Sequence, residues 1–158
     1  MNRQIRQSGA AMVEFAIILP VMLILAFGIT ELGRAIYQQN TLDKAMASGV
    51  RYMTRAWQAV ASDCSQGTGW SAATANAAKL VAYGSQNGGD PLLPDLDPTD
   101  VTFTVAGKVV PESGDTACVV TGIAKVPFDS VFGSTIIPFL DIGPITLNAK
   151  SEERYHGE

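Results

Sequence analysis

The sequence predicts an α+β protein: a long N-terminal helix whose first half spans a membrane, then a small head with a short helix and an antiparallel sheet. Three observations predict it. Residues 10–29 read AAMVEFAIILPVMLILAFGI, about twenty residues with a single charge, which is the length a helix needs to cross a hydrocarbon core. Beyond Thr30, the positions Leu32, Ile36, Leu42, Met46, Val50, Met53, Trp57 and Val60 recur at steps of three and four, with Gln39 completing the phase of one helical stripe. Towards the C-terminus, VTFTVA, the Val/Ile-rich stretch 117–128 and ITLNAK carry strand patterns.

Composition sets the outer bounds. A chain of 158 residues has room for one ordinary domain and one extra element. Its charged fraction is 16%, against roughly 25% in soluble domains, and its hydrophobic fraction is 47%, so apolar residues are concentrated somewhere. A net charge of −4 argues against nucleic acid as a partner, because neutralising phosphates needs a basic face.

The N-terminus orients the span. MNRQIRQSG carries Arg3 and Arg6 and no acid, which keeps this end in the cytoplasm and exports everything after Thr30. A cleaved secretory signal is the alternative, with Ala26-Phe27-Gly28 as a small-x-small cleavage site. Two features weigh against it: the apolar run exceeds the usual signal length, and it contains Glu14, which costs about 2–3 kcal/mol or more to bury in lipid unless paired. If the chain is cut after Gly9, the new amine on Ala10 lies four residues from Glu14 on one helix face, and the two charges can neutralise each other within one molecule or between neighbours.

Ser8-Gly9 followed by AAMVEF resembles the processing site of type IV prepilins of the tight-adherence branch: a glycine, four residues, then Glu and an aromatic. The likeness extends from Gly9 to about Ala56 and resembles the TadE-like family through Glu14-Phe15-Ala16, Leu19-Pro20, Gly28-Ile29, Glu31-Leu32-Gly33-Arg34 and Gly49-Val50-Arg51-Tyr52. The resemblance implies a division into a leader peptide at 1–9, a transmembrane half-helix at 10–30, an exported half-helix at 31–60 and an α+β head at 61–158. It further implies cleavage between Gly9 and Ala10 by a membrane aspartyl prepilin peptidase. The partners would be the membrane, the major pilin, other minor pilins and the inner-membrane assembly platform. Subunit-assembly contacts would fall on Glu14, Phe15, Pro20, Glu31 and Arg34, and the protein would sit in the inner membrane with its N-terminus cytoplasmic and its head periplasmic or extracellular, or in a surface pilus.

Along the helix, Pro20 removes one hydrogen bond and is expected to kink or loosen the span, as membrane helices tolerate. Gly28, Gly33 and Gly49 either permit close approach of a neighbouring backbone or are merely tolerated. Glu31 and Arg34 stand at i,i+3, as a solvated surface pair or an intersubunit contact, and Arg51 and Tyr52 have the same standing. A helix from about Ala10 to about Val60 would be roughly 75 Å long, too long for one small domain to bury.

In the head, WSAATANAAKLVAY from Trp70 to Tyr83 reads as a short helix, with Ser71 as N-cap and Gly84 as the stop, packed on the first. SQNGGDPLLPDLDPTD is a loop signature several times over. Asp95, Asp97 and Asp100 in it lack the calcium-loop pattern and its closing glutamate, so turn initiation is the ordinary reading and no metal is assigned. The strands are expected at Val101–Ala106, Ala117–Phe128 and Ile145–Lys150, punctuated by Gly107-Lys108, residues 112–115 and Gly143-Pro144. The region 131–140 receives no element.

Cys64 and Cys118 are too far apart in sequence for a zinc ribbon or a dithiol redox motif. In an oxidising exported compartment they would pair and add about 4 kcal/mol by chain entropy, with two buried free thiols as the alternative. His156, the one histidine, lies in the polar tail SEERYHGE, where termini commonly fray, and no nucleophile set, phosphate loop or cofactor motif accompanies it. The reading is therefore a minor pilin-like subunit with no catalytic residues and no cofactor, serving assembly, priming or tip formation in adhesion. The alternative is an exported or membrane-anchored ligand-binding or adhesin-type protein outside any filament.

Overall fold

The N-terminal pattern folds as one continuous helix, α1, from Arg3 to Arg55, in a computed structural model that describes residues 3–111, 114–131, 133 and 145–157. Pro20 lies inside α1 and leaves one carbonyl of the preceding turn without its helical partner. The chain divides into two compact units, Met1–Ala35 with Ser130–Pro144, and Ile36–Asp129 with Ile145–Glu158.

In the first unit, the helix from Met12 to Ile29 exposes nearly every large apolar side chain, among them Phe15, Ile17, Leu19 and Phe27. Its apolar stretch has a mean hydropathy of 2.5 and is long enough to cross a membrane.

In the second unit, α1 turns amphipathic. Leu42, Met46, Val50 and Met53 are fully buried, one stripe at steps of four, four and three, as a core-facing helix requires. The expected stripe began earlier and ran further: Leu32, Ile36 and Trp57 are instead exposed, at 55%, 54% and 69%. The helix also stops at Arg55, short of Val60, because the chain reverses there. Gln58 adopts φ 50°, and the Gln58 and Ala59 carbonyls accept from Gly69 N and Gly67 N.

The second helix, α2, spans Trp70–Tyr83 and buries Trp70, Ala73, Ala77, Ala78, Val81 and Ala82. Its small side chains let it lie close to α1, where Gly49 leaves room for Val81. Gly84 ends it in the left-handed conformation, φ 69°, returning its N–H to the Leu80 carbonyl. The N-cap is Gly69 and not Ser71, which falls inside the first turn, and no side chain caps this end.

The 85–97 loop has no regular structure, yet Leu93 and Leu96 anchor it in the core. It closes in a single 3-10 turn, Pro98–Asp100, that the loop reading missed. Asp97 accepts from Thr99 N and Asp100 accepts from Asp97 N, a reciprocal capping box.

Three antiparallel strands follow: β1, Val101–Val109; β2, Thr116–Pro127; and β3, Thr146–Arg154, with β2 in the centre. Registers such as Phe103↔Gly122 and Ala124↔Ala149 place Val101, Phe103, Val120, Ala124, Val126, Leu147 and Ala149 in the core. Gly122 opens a close passage to α1. A Cβ there would stand 2.6 Å from Met46 Sδ and 2.7 Å from Val50 Cγ2.

Two strand boundaries differ from expectation. Gly107 and Lys108 continue β1 opposite Cys118 and Ala117 and make no turn. A Cβ on Gly107 would lie 2.9 Å from Thr116 Cγ2 and 3.7 Å from Cys64 Sγ, so the glycine serves close approach beside the cysteines. The tail does not fray either: β3 runs through Arg154, then Tyr155 N donates to the Cys118 carbonyl and His156 N to the Thr54 carbonyl. The 131–140 region and Gly143-Pro144 lie, apart from Val131 and Gly133, outside the described residues, as do Glu112 and Ser113.

Candidate assembly site

The residues singled out for processing and assembly fall on one element, α1. Gly9, Ala10, Glu14, Phe15 and Pro20 are all exposed, and Glu14 is the one charged side chain between Gly9 and Glu31. Ala10 and Glu14, four apart, share a helix face. A helix-interior glycine costs about 0.5–1 kcal/mol relative to alanine, and at Gly9 no packing offsets this: a Cβ would meet nothing within 4 Å. The same holds at Gly33. Gly49 is different, its space being taken by Val81 of the same chain.

Glu31 and Arg34 form an ion pair, with Nη1 3.2 Å from Oε1. The surroundings are not those of a solvated surface pair. Glu31 is only 1% exposed, and its carboxylate accepts a hydrogen bond from Val131 N at 2.8 Å, with the Ser130 hydroxyl at 3.5 Å. Within the first unit this carboxylate therefore holds the chain that leaves residue 129 against the helix. Sequence reading carried no signal for it, since Val131 lies a hundred residues away. Arg34 stays partly exposed.

Cys64 and Cys118 form a disulfide, with Cα atoms 5.0 Å apart. It ties the turn after α1 to the central strand. On the sheet, Glu152 is flanked by Lys108 and by Lys150, the latter at 2.9 Å, and its carboxyl is lowered to about 2, mainly by the hydrogen bond from Lys108 and then by that from Lys150. The Asp97 carboxyl is also held below its usual value, by the backbone and then the side chain of Thr99.

Asp97 and Asp100 spend their carboxylates on the capping box, and among the described residues no group of three or more His, Cys, Asp or Glu side chains converges as a metal site would require. A groove of about 510 Å³ is lined by Arg51, Tyr52, Arg55, Trp57, Asn76 and neighbouring small residues. It holds no nucleophile–base pair among them.

Compared with known proteins, residues 9–51 match the family described as TadE-like protein, so the likeness read from Gly9 to about Ala56 is found over 9–51, less than a third of the chain. No curated protein and no solved structure matches. The matched residues lie on the helix whose exposed apolar stretch is long enough to cross a membrane.

Proposed function

We propose that this chain, TadE-like over its N-terminal helix, is a minor pilin-like subunit: it is held in the inner membrane by α1, processed after Gly9, and drawn into the base or tip of a tight-adherence pilus. The observation that carries the reading is the exposed apolar run from Ala10 to Thr30, with Glu14 as its lone charge. A charge in lipid is costly unless a partner waits, and the Ala10 amine released by cleavage lies one helical turn away. The N-terminal nine residues would be cytoplasmic and the head exported, where the Cys64–Cys118 disulfide is at home.

In assembly the helix exchanges lipid for the helices of other subunits. Pairing of Glu14 with a terminal amine then sets the register, because an unpaired charge in a low-dielectric bundle is expensive. Phe15 and Pro20 share the exposed helix with Glu14, and Gly33 offers an open surface for a neighbouring backbone. Arg34, the exposed half of its pair, offers a charge just beyond the span. The head, about a hundred residues, is large for a bulk subunit, which favours low copy number and priming or tip duty.

The test is the fate of Glu14→Ala in cells making the pilus. The variant is expected to insert in the membrane and fold its head, with the disulfide formed, yet to vanish from sheared filament fractions. Undiminished incorporation would sink the assembly role of Glu14.

A further inference from the structure

We infer that the head carries a self-complementary pair of surfaces, and that the groove at the end of α1 takes the acidic, proline-rich loop of a second copy of this chain. This inference stands whether or not Gly9 is a processing point.

The groove is built from Arg51 and Arg55, both exposed and one turn apart on α1, with Tyr52, Asn76 and Trp57. Neither guanidinium has an ion pair among the described residues. Trp57 is 69% exposed although large aromatic side chains are usually well buried. It is fixed there by a tight turn: Gln58 adopts φ 50° and its carbonyl accepts Gly69 N, while Thr68 Oγ1 donates to the Gln58 side chain. Asn76 Nδ2 reaches the Tyr52 hydroxyl at 3.4 Å, which orients the ring. Trp, Tyr and Arg on a rigid frame are the residue types that dominate binding energy at interfaces.

The occupant is argued from charge and from chain type. This protein is acidic, and its stretch Asp90-Pro-Leu-Leu-Pro-Asp-Leu-Asp-Pro-Thr-Asp100 holds four acids and no base. Asp97 and Asp100 are used in capping, but Asp90 and Asp95 are exposed and have no hydrogen bond or ion pair among the described residues. Pro91 and Pro94 are exposed as well, and Leu92 is 42% exposed. Leu93 and Leu96, buried in the core, and a turn closed by Leu96 N on the Leu93 carbonyl, with Asp95 at φ 58°, hold the segment in one shape, so Pro91, Leu92 and Pro94 form an ordered surface for an aromatic-lined groove. Two carboxylates flanking that segment match two unpaired guanidiniums.

One copy cannot fill its own groove. The groove lies on the N-terminal half of α2, from Gly69 to Asn76, whereas Leu92 N of the loop donates to the Ala82 carbonyl and Leu92 packs beside Gly84 at the opposite end of that helix. The contact is therefore between different patches on two copies, head to tail, of the kind that propagates or closes a ring.

The test uses the full chain in detergent micelles, with Trp57→p-benzoylphenylalanine as a photo-crosslinker and mass spectrometry of the linked peptides. The expected product joins position 57 of one copy to the 85–100 peptide of another, and its yield falls roughly tenfold or more in Arg51→Glu/Arg55→Glu. A matching fall is expected in Asp90→Arg/Asp95→Arg. Mixing the two charge-reversed proteins restores the product, which neither a misfolded variant nor a nonspecific aggregate would do. Absence of the 57-to-85–100 product in the wild-type chain, crosslinks only to another protein or to detergent, or a yield indifferent to both charge reversals would overturn the inference.

Discussion

Glu152 shows how a single side chain links sequence to solution behaviour. Its carboxyl falls from 4.5 to about 2 because Lys108 and Lys150 stabilise the charged form. A depressed carboxyl contributes stability above its unfolded value and loses it as pH falls towards the folded one. Wild-type protein should therefore lose urea resistance between pH 4.5 and about 2 more steeply than Glu152→Gln, by a small margin that shrinks at high salt, since the site is solvent-accessible. Parallel unfolding curves for the two proteins across that range would contradict the pairing. Residue-scale detail of this sort was only partly legible beforehand. Gly84 as the stop of α2 follows from local chemistry, whereas Glu31 meeting Val131, and Glu152 meeting Lys108, depend on chain paths that no local pattern encodes.

Elements were more legible than their edges. The α2 segment could be read from alanine content and its stop at Gly84, though not its cap, the outer two strands from alternation and the middle one from its Val and Ile content, because each signal is local. Edges failed where packing overrode punctuation. Gly107 looked like a turn and is a strand residue beside the cysteines, and the polar tail looked frayed but pairs with β2 through Arg154. The element-scale prediction concerns the Cys64–Cys118 link between the turn after α1 and β2, spanning 54 residues of sequence. Removing it by Cys64→Ser with Cys118→Ser should cost about 4 kcal/mol in urea unfolding of the full chain in detergent. A loss well under about 1 kcal/mol would mean that the unfolded chain is already restricted without the bond.

At the scale of the whole molecule, one helix serves two solvents. Its first half shows apolar side chains to the outside, and its second half buries a stripe of four in a head that two helices and a sheet complete. The change comes near Gln38 and Leu42, later than the apolar periodicity suggested, since Leu32 and Ile36 keep the phase of the stripe but remain exposed. Periodicity reports a face, and it does not report what covers that face. The same holds for Gly9: an open, exposed helical glycine has no packing reason to be glycine, and the proposed processing would supply one.

The most direct measurement is the N-terminal residue and intact mass of the protein isolated from membranes, for wild type and Gly9→Ala side by side. A mature start at Ala10 in the wild type, lost in Gly9→Ala, is the expected result. A start at Ile29, leaving a soluble head, or an uncut chain in the pilus-bearing cell would contradict processing at Gly9 and entry into a filament through the Ala10 amine.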